Sequence, residues 1–225
     1  MNPQRLALQG LSQTLYNAAA RSGRPAARLL AVSKTQPLDA VAALAACGQR
    51  AFGENYVQEA VAKIDALRPM GLEWHLIGHL QSNKCRAAAL NFDWVQTLDR
   101  ARLIDALDRH RAGCERPLNV LVQVNPDGEA GKSGCAPEQI GELARAIASA
   151  PNLHLRGLMA IPEPTLDLDR RRQTFRQLRG WFDRLRQDFP QADTLSMGMS
   201  ADFEMALEEG STMVRIGTAL FGART

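Results

Sequence analysis

This sequence predicts an α/β fold, a single (β/α)8 barrel of the TIM type with an extra helix ahead of it, on three observations. From residue 29 onward, short apolar runs alternate with longer amphipathic stretches, the pattern of a parallel sheet wrapped by helices. The apolar runs number eight, which in a chain of 225 residues favours closure over an open sheet. No Pro/Gly/Ser linker, solenoid repeat or low-complexity segment divides the chain, so residues 1–225 are expected to form one domain.

The leading helix is expected over Gln4 to Arg21, where Leu6, Leu11, Leu15 and Ala18 recur at roughly helical spacing, and it should cover the barrel floor or flank. Strands are expected near 29–33, 51–53, 72–78, 94–97, 118–124, 154–161, 194–198 and 213–217, with helical patterns in most gaps. Pro37 suits the opening turn of the helix after the first strand. The helix beginning near Asp167 is the plainest, with Phe175, Leu178, Phe182, Leu185 and Phe189 in one stripe and arginines over the rest. Those arginines suggest either a grip on a phosphate backbone or a solvated helix face. Interspersed Asp167, Asp169, Asp183 and Asp188, and no aromatic residue on the polar side, favour the solvated face. Ser200 reads as the N-cap of a helix from Ala201 to Glu209.

Composition narrows the function. A 45% hydrophobic content supports a substantial core, and 27 basic against 24 acidic residues give a net charge of +3, too even a balance to advertise nucleic acid or an anionic membrane as partner. No segment reaches the roughly 18 to 20 apolar residues of a membrane span, and the N-terminus carries no secretory pattern. Cys47, Cys85, Cys114 and Cys135 are scattered, without a Cys-x-x-Cys pair, and read as reduced thiols of a cytoplasmic protein.

In such a barrel the reactive groups come from strand C-termini and the loops after them. Lys34 closes the first apolar run and, by strand alternation, shares a face with Val32 and Leu30. If that face is interior, poor hydration lowers the amine pKa and sharpens its nucleophilicity toward an aldehyde. In the last run Met213, Arg215 and Gly217 share one face while Val214 and Ile216 take the other, so Arg215 points into the barrel and requires an acceptor. One ligand answers both residues: an aldehyde captured as an imine by Lys34, on a heterocycle whose ring nitrogen accepts from Arg215. The plain alternatives are a lysine snorkelling to water and an arginine paired with a protein carboxylate. Ser200, Gly217 and Thr218 stand in small-residue turns after the seventh and eighth strands, where barrels commonly hold phosphate.

Other motifs fail. Gly131-Lys132-Ser133 has Pro126 where a P-loop needs its first glycine, and Gly198-Met199-Ser200-Ala201-Asp202 ends in aspartate where a nucleophile elbow needs glycine. No G-x-G-x-x-G follows a strand, and His75 and His79, four apart, lack the helical setting of a zinc pair. His79 remains a candidate pocket residue, with His110 expected on a helix and His154 at a strand start.

The ordered set LLAVSKTQP, FGENYVQE, WHLIGHLQSNK, VLVQVN with GKSG, GLMAIP and SMGMSADFEMALEEGSTMVRIGTALFG resembles, almost end to end, the pyridoxal 5′-phosphate homeostasis proteins (YggS/PROSC-like), relatives of the alanine racemase barrel domain. The resemblance implies a fold-type III barrel that binds pyridoxal 5′-phosphate (PLP). It implies a reversible Schiff base on Lys34, a phosphate site at Ser200, Gly217 and Thr218, Arg215 facing the pyridine nitrogen, and Asn55 at the pocket. Many relatives carry a second lysine where this chain has Gln36, and Lys132 remains a candidate second amine on a loop.

Two functional classes follow from the resemblance. One is intracellular vitamin B6 homeostasis, the buffering and delivery of PLP, with B6 vitamers and PLP-requiring apo-enzymes as partners. The other is a fold-type III enzyme such as an amino-acid racemase. PLP serves best as an electron sink when a carboxylate protonates its ring nitrogen, and Arg215 as a permanent donor leaves it unprotonated. A racemase also needs a proton donor on each face of the substrate carbon. Alanine racemase takes one from a tyrosine of a β-rich second domain, expected to be absent here because the sequence ends at Thr225. The only tyrosines are Tyr16, in the leading helix, and Tyr56, expected to pack at a helix start. Binding without turnover is therefore the favoured expectation.

Overall fold

The computed structural model describes residues 3–129 and 131–222. After helix α1 (Pro3–Ser22), strands and helices alternate: β1 (Arg28–Val32), α2 (Leu38–Ala46), β2 (Ala51–Glu54), α3 (Val57–Leu67), β3 (Glu73–Leu76), α4 (Cys85–Asn91), β4 (Trp94–Leu98), α5 (Ala101–Arg111), β5 (Leu118–Val124), α6 (Ile140–Ala148), β6 (Leu153–Ala160), α7 (Leu168–Asp188), β7 (Thr194–Met199), α8 (Phe203–Glu208), β8 (Met213–Ile216) and α9 (Thr218–Phe221). All neighbouring strands run parallel, and β8 pairs with β1 in the register Leu30 to Arg215, closing the barrel. Each expected strand is present, with ends shifted by a residue or two and β3 shortened at both ends.

Alternation along the strands separates two cores. Val214 and Ile216 join the outer core against the helices, with Phe52, Phe175 and Phe182, while Met213 packs inside with Leu30, Ala51 and Ile77. Trp94, Leu121 and Met159 fill the rest of the interior. At the N-terminal end, Arg28 donates to Glu73 and Arg156 donates to Asp193 and Asn119, with both guanidinium groups over the Trp94 ring. This network forms the barrel floor. Helix α1 lies on the flank against α2, α8 and α9.

Four local expectations change. Helix α8 starts at Phe203 with Asp202 as N-cap, so Ser200 is a turn residue and not a cap. The cause is Asp202. Its Oδ1 accepts from the Met199 N–H at 2.7 Å, its own N–H donates to the Met199 carbonyl, and its Oδ2 pairs with Arg171, which draws 199–202 into a tight turn. The α7 arginines are more engaged than a solvated face implies: Arg171 is buried on Asp202, Arg172 and Arg176 bind Glu209, and Arg179 pairs with Asp183. Tyr56, expected to pack at its helix start, is exposed instead. Pro37 is the N-cap of α2 and stands just ahead of the first turn.

Candidate functional site

At the C-terminal end of the barrel a cavity of about 320 Å³ opens among β1, β2, β7 and β8 and the loops after them. Its size lies at the lower end of the range that holds a small-molecule ligand, roughly 300 to 1,000 Å³. Lys34, Asn55, Ser200, Arg215, Gly217 and Thr218 all line it, together with Gln36 and an apolar wall that includes Val32, Ile77 and Ile161. His79 and Lys132 do not. His79 bonds Ser133, and Lys132 pairs with Glu129.

Lys34 follows directly on β1, in a turn braced from outside the barrel. The Ser33 carbonyl accepts from Lys63 Nζ at 2.8 Å, the Ser33 hydroxyl donates to Glu54 at 2.6 Å, and the Thr35 N–H donates to Glu59 at 2.8 Å. Lys63 bridges both carboxylates. Thr35 is held at φ 63°, a left-handed conformation that costs a β-branched residue energy and persists only where its surroundings enforce it. Burial raises the Glu54 carboxyl above its ordinary range, against the opposing pull of Lys63 and Ser33. The outcome is a lysine whose backbone is fixed on both sides.

Asn55 is placed by a close approach. A Cβ on Gly78 would stand 2.2 Å from the Asn55 carbonyl oxygen, so only glycine lets the loop after β3 pass the end of β2. Gly198 does the same for the turn after β7: at φ +92° its missing Cβ would lie 2.6 Å from that of Ala206.

Arg215 is 3% exposed, and the protein groups that satisfy it are not the carboxylate that was one expectation. Nη1 donates to the carbonyl and the hydroxyl of Ser196, and Nη2 donates to the Ala160 carbonyl, each at 2.8 Å. Backbone oxygens and a serine thus satisfy the charge where a carboxylate was one expectation. Three of the guanidinium's five N–H groups are used in this way. Burial pulls its pKa down to about 10, partly offset by Asp202, so it remains cationic at neutral pH.

Gly217 opens the last turn, whose first N–H groups have no intrahelical acceptor, and Ser200 and Thr218 are exposed beside it. The cavity therefore presents an amine at one side, a buried cation deep in the barrel, and at the rim two hydroxyls with the start of a helix turn. A planar molecule bearing an aldehyde, a ring acceptor and a phosphate has a complement for each group. The bracing groups Glu54, Lys63 and Glu59 were missed in the sequence, although Glu54 and Lys63 are charges inside otherwise apolar patterns, a detectable signal.

Comparison with known proteins agrees with this geometry. The family described as alanine racemase, N-terminal domain, matches residues 6–225. A pyridoxal phosphate homeostasis protein of Pasteurella multocida is 50% identical over 223 residues, covering 96% of each chain. Among solved structures, PipY of Synechococcus elongatus without PLP superposes with a TM-score of 0.87 at 37% identity, covering 97% of this chain and 99% of that one. The same protein with PLP bound gives 0.84 at 36% identity, covering 97% and 100%. With the barrel closed in the same way and the likeness running almost end to end, this chain belongs to the alanine racemase N-terminal domain family, in the branch that includes the pyridoxal phosphate homeostasis proteins.

Proposed function

We propose that this protein binds pyridoxal 5′-phosphate in the barrel-mouth cavity and serves vitamin B6 homeostasis in the cytoplasm, with residues 1–225 acting as one domain. The observation that carries the reading is the convergence of Lys34, Arg215 and the Ser200, Gly217 and Thr218 rim on one cavity. Lys34 is the amine that holds the cofactor's aldehyde reversibly, with loss of one water on binding and its return on release. Asn55 borders the ring, Arg215 donates to its nitrogen, and the rim turns take the phosphate. The bound group supplies an electrophilic carbonyl conjugated to a pyridine ring. Two relatives support the assignment, one named for pyridoxal phosphate homeostasis and one solved with PLP bound.

Buffering and delivery fit the chemistry better than turnover. A permanently charged guanidinium at the ring nitrogen weakens carbanion stabilisation. Tyr56, considered as a base, is exposed and does not line the cavity. Delivery would be to PLP-requiring apo-enzymes.

Adding PLP to the purified protein should produce an absorbance near about 420 nm. Borohydride should then fix the adduct on the peptide containing Lys34, and Lys34→Ala should lose both. A colourless mixture without a trapped adduct overturns the proposal. Rapid α-proton exchange with any amino acid in deuterated water would replace the carrier reading with the racemase one.

A further inference from the structure

A single file of hydrogen bonds descends the barrel interior from the cavity to the floor. Arg215 Nη1 donates to Ser196 Oγ at 2.8 Å, Ser196 Oγ donates to Gln96 Oε1 at 2.7 Å, and Gln96 Nε2 donates to His75 Nδ1 at 2.9 Å. His75 Nε2 then donates to Glu73 Oε1 at 2.6 Å, an oxygen that Arg28 also holds from the floor. Ser196, Gln96 and His75 are each 0% exposed and stand on three different strands, β7, β4 and β3. Buried polar side chains in an apolar barrel are costly unless fully paired, so their pairing requires an explanation.

With Glu73 ionised and the His75 imidazole neutral, the direction of the file follows. A guanidinium only donates and an ionised carboxylate only accepts. With Arg215 donating to it, the Ser196 oxygen sends its own hydrogen to Gln96 Oε1. Gln96 must then turn its amide nitrogen toward His75, where its second N–H meets Met213 Sδ at 3.2 Å. His75 Nδ1 therefore accepts, and the ring proton sits on Nε2 facing Glu73. No atom of the file is among the buried polar atoms without a partner. Burial holds the imidazole neutral, below its ordinary pKa, although Glu73 and Asp93 pull the other way; Arg28 reinforces the neutral form. Stacking on Trp94, 5.0 Å away, fixes the ring plane.

We propose that Ser196, Gln96 and His75 are positioning residues that lock the Arg215 guanidinium in one orientation, so that its uncommitted N–H groups present a fixed donor to a ligand's ring nitrogen. This rests on the function proposed above, in that the ligand is taken to be a phosphorylated pyridine. It extends that reading by assigning ring-nitrogen recognition to residues that never touch the ligand.

Pyridoxine 5′-phosphate tests the idea without involving Lys34, because it has the ring nitrogen and phosphate but no aldehyde. Its affinity is compared with that of its benzene analogue, in which carbon replaces the ring nitrogen, for the wild type, Gln96→Leu and Ser196→Ala. Loss of one well-aligned charged hydrogen bond should weaken pyridoxine 5′-phosphate about tenfold in both variants while changing the benzene analogue by less than about twofold. Ser196→Ala removes a single hydroxyl and guards against a misfolded Gln96→Leu. In parallel, nitrogen-15 spectra of the histidines in the unliganded protein should show His75 neutral and protonated on Nε2 at about pH 7.5. Equal weakening of both ligands, no weakening, no binding of pyridoxine 5′-phosphate by the wild type, or a His75 proton on Nδ1 would each overturn the inference. Borohydride trapping on Lys34 reads the covalent proposal separately, so the two can fail independently.

Discussion

At the scale of single residues, the bracing behind Lys34 is a buried charge network with little margin. Lys63 and Glu54 are nearly inaccessible, and a buried pair broken on one side leaves an uncompensated charge. Lys63→Met should therefore destabilise the protein by about 3 to 5 kcal/mol, read from urea midpoints, and should slow cofactor capture because the Ser33 carbonyl loses its donor. Glu59→Gln, at a partly exposed partner, should cost about 1 kcal/mol or less. A Lys63→Met variant as stable as the wild type would remove the bracing role. Glu73 provides a pH signal of known sign. Burial alone would raise its pKa, but the hydrogen bond from His75 and the charge of Arg28 outweigh it and hold it below the ordinary 4.5. Its contribution to stability is therefore fully present above about pH 4.5 and is lost as pH falls below that value. Glu73→Gln should flatten this part of the acid limb in urea midpoints measured between about pH 5 and pH 3.

Among elements, the turn between β7 and α8 connects the fold to the rim of the cavity. Asp202 binds the Met199 N–H and pairs with Arg171, which also donates to the Glu163 carbonyl, so one carboxylate ties α7 to the turn bearing Ser200. Asp202→Ala should cost about 3 kcal/mol by stranding buried Arg171, and should weaken phosphate-bearing ligands more than ligands without phosphate. Loss of stability with an unchanged phosphate preference would separate the turn from the site. This element also marks the limit of what the sequence made legible. The eight strands could be read because β-branched and apolar runs recur between amphipathic helices; Lys34, Ser200, Gly217 and Thr218 because strand ends and small-residue turns sit at fixed places in a barrel, and Arg215 from strand alternation, whereas Asn55 came from the family resemblance alone. The start of α8 could not be read, since a Ser-Ala-Asp run offers two capping residues and only the contact with Arg171, some thirty positions away, selects Asp202. Gln96 and Ser196 were equally hidden: each is a polar residue at an inward strand position, and their partners are distant in sequence.

For the whole molecule, closure joins the first and last strands. β1 contributes Leu30 and the turn with Lys34, β8 contributes Arg215, and these strands are hydrogen-bonded neighbours. Half of the site therefore depends on pairing between segments nearly the whole sequence apart, which gains its reward only after most of the barrel has formed. The hydrogen-bond file reinforces this, since it links β8, β7, β4 and β3 through the interior. A barrel joined in this way should not open in halves. Trp74 and Trp94 report on the β3 and β4 side, while Trp181 reports on α7, on the other side of the sheet order. Urea unfolding followed by fluorescence of variants that each retain one tryptophan, and by far-ultraviolet dichroism, should give coincident single transitions. Two separated transitions, with the Trp181 signal lost apart from the others, would mean that residues 1–225 behave as more than one folding unit. The Lys34 and Arg215 sides of the cavity would then be able to come apart while each remained folded, and a ligand bridging them should merge the transitions again by binding only the closed form.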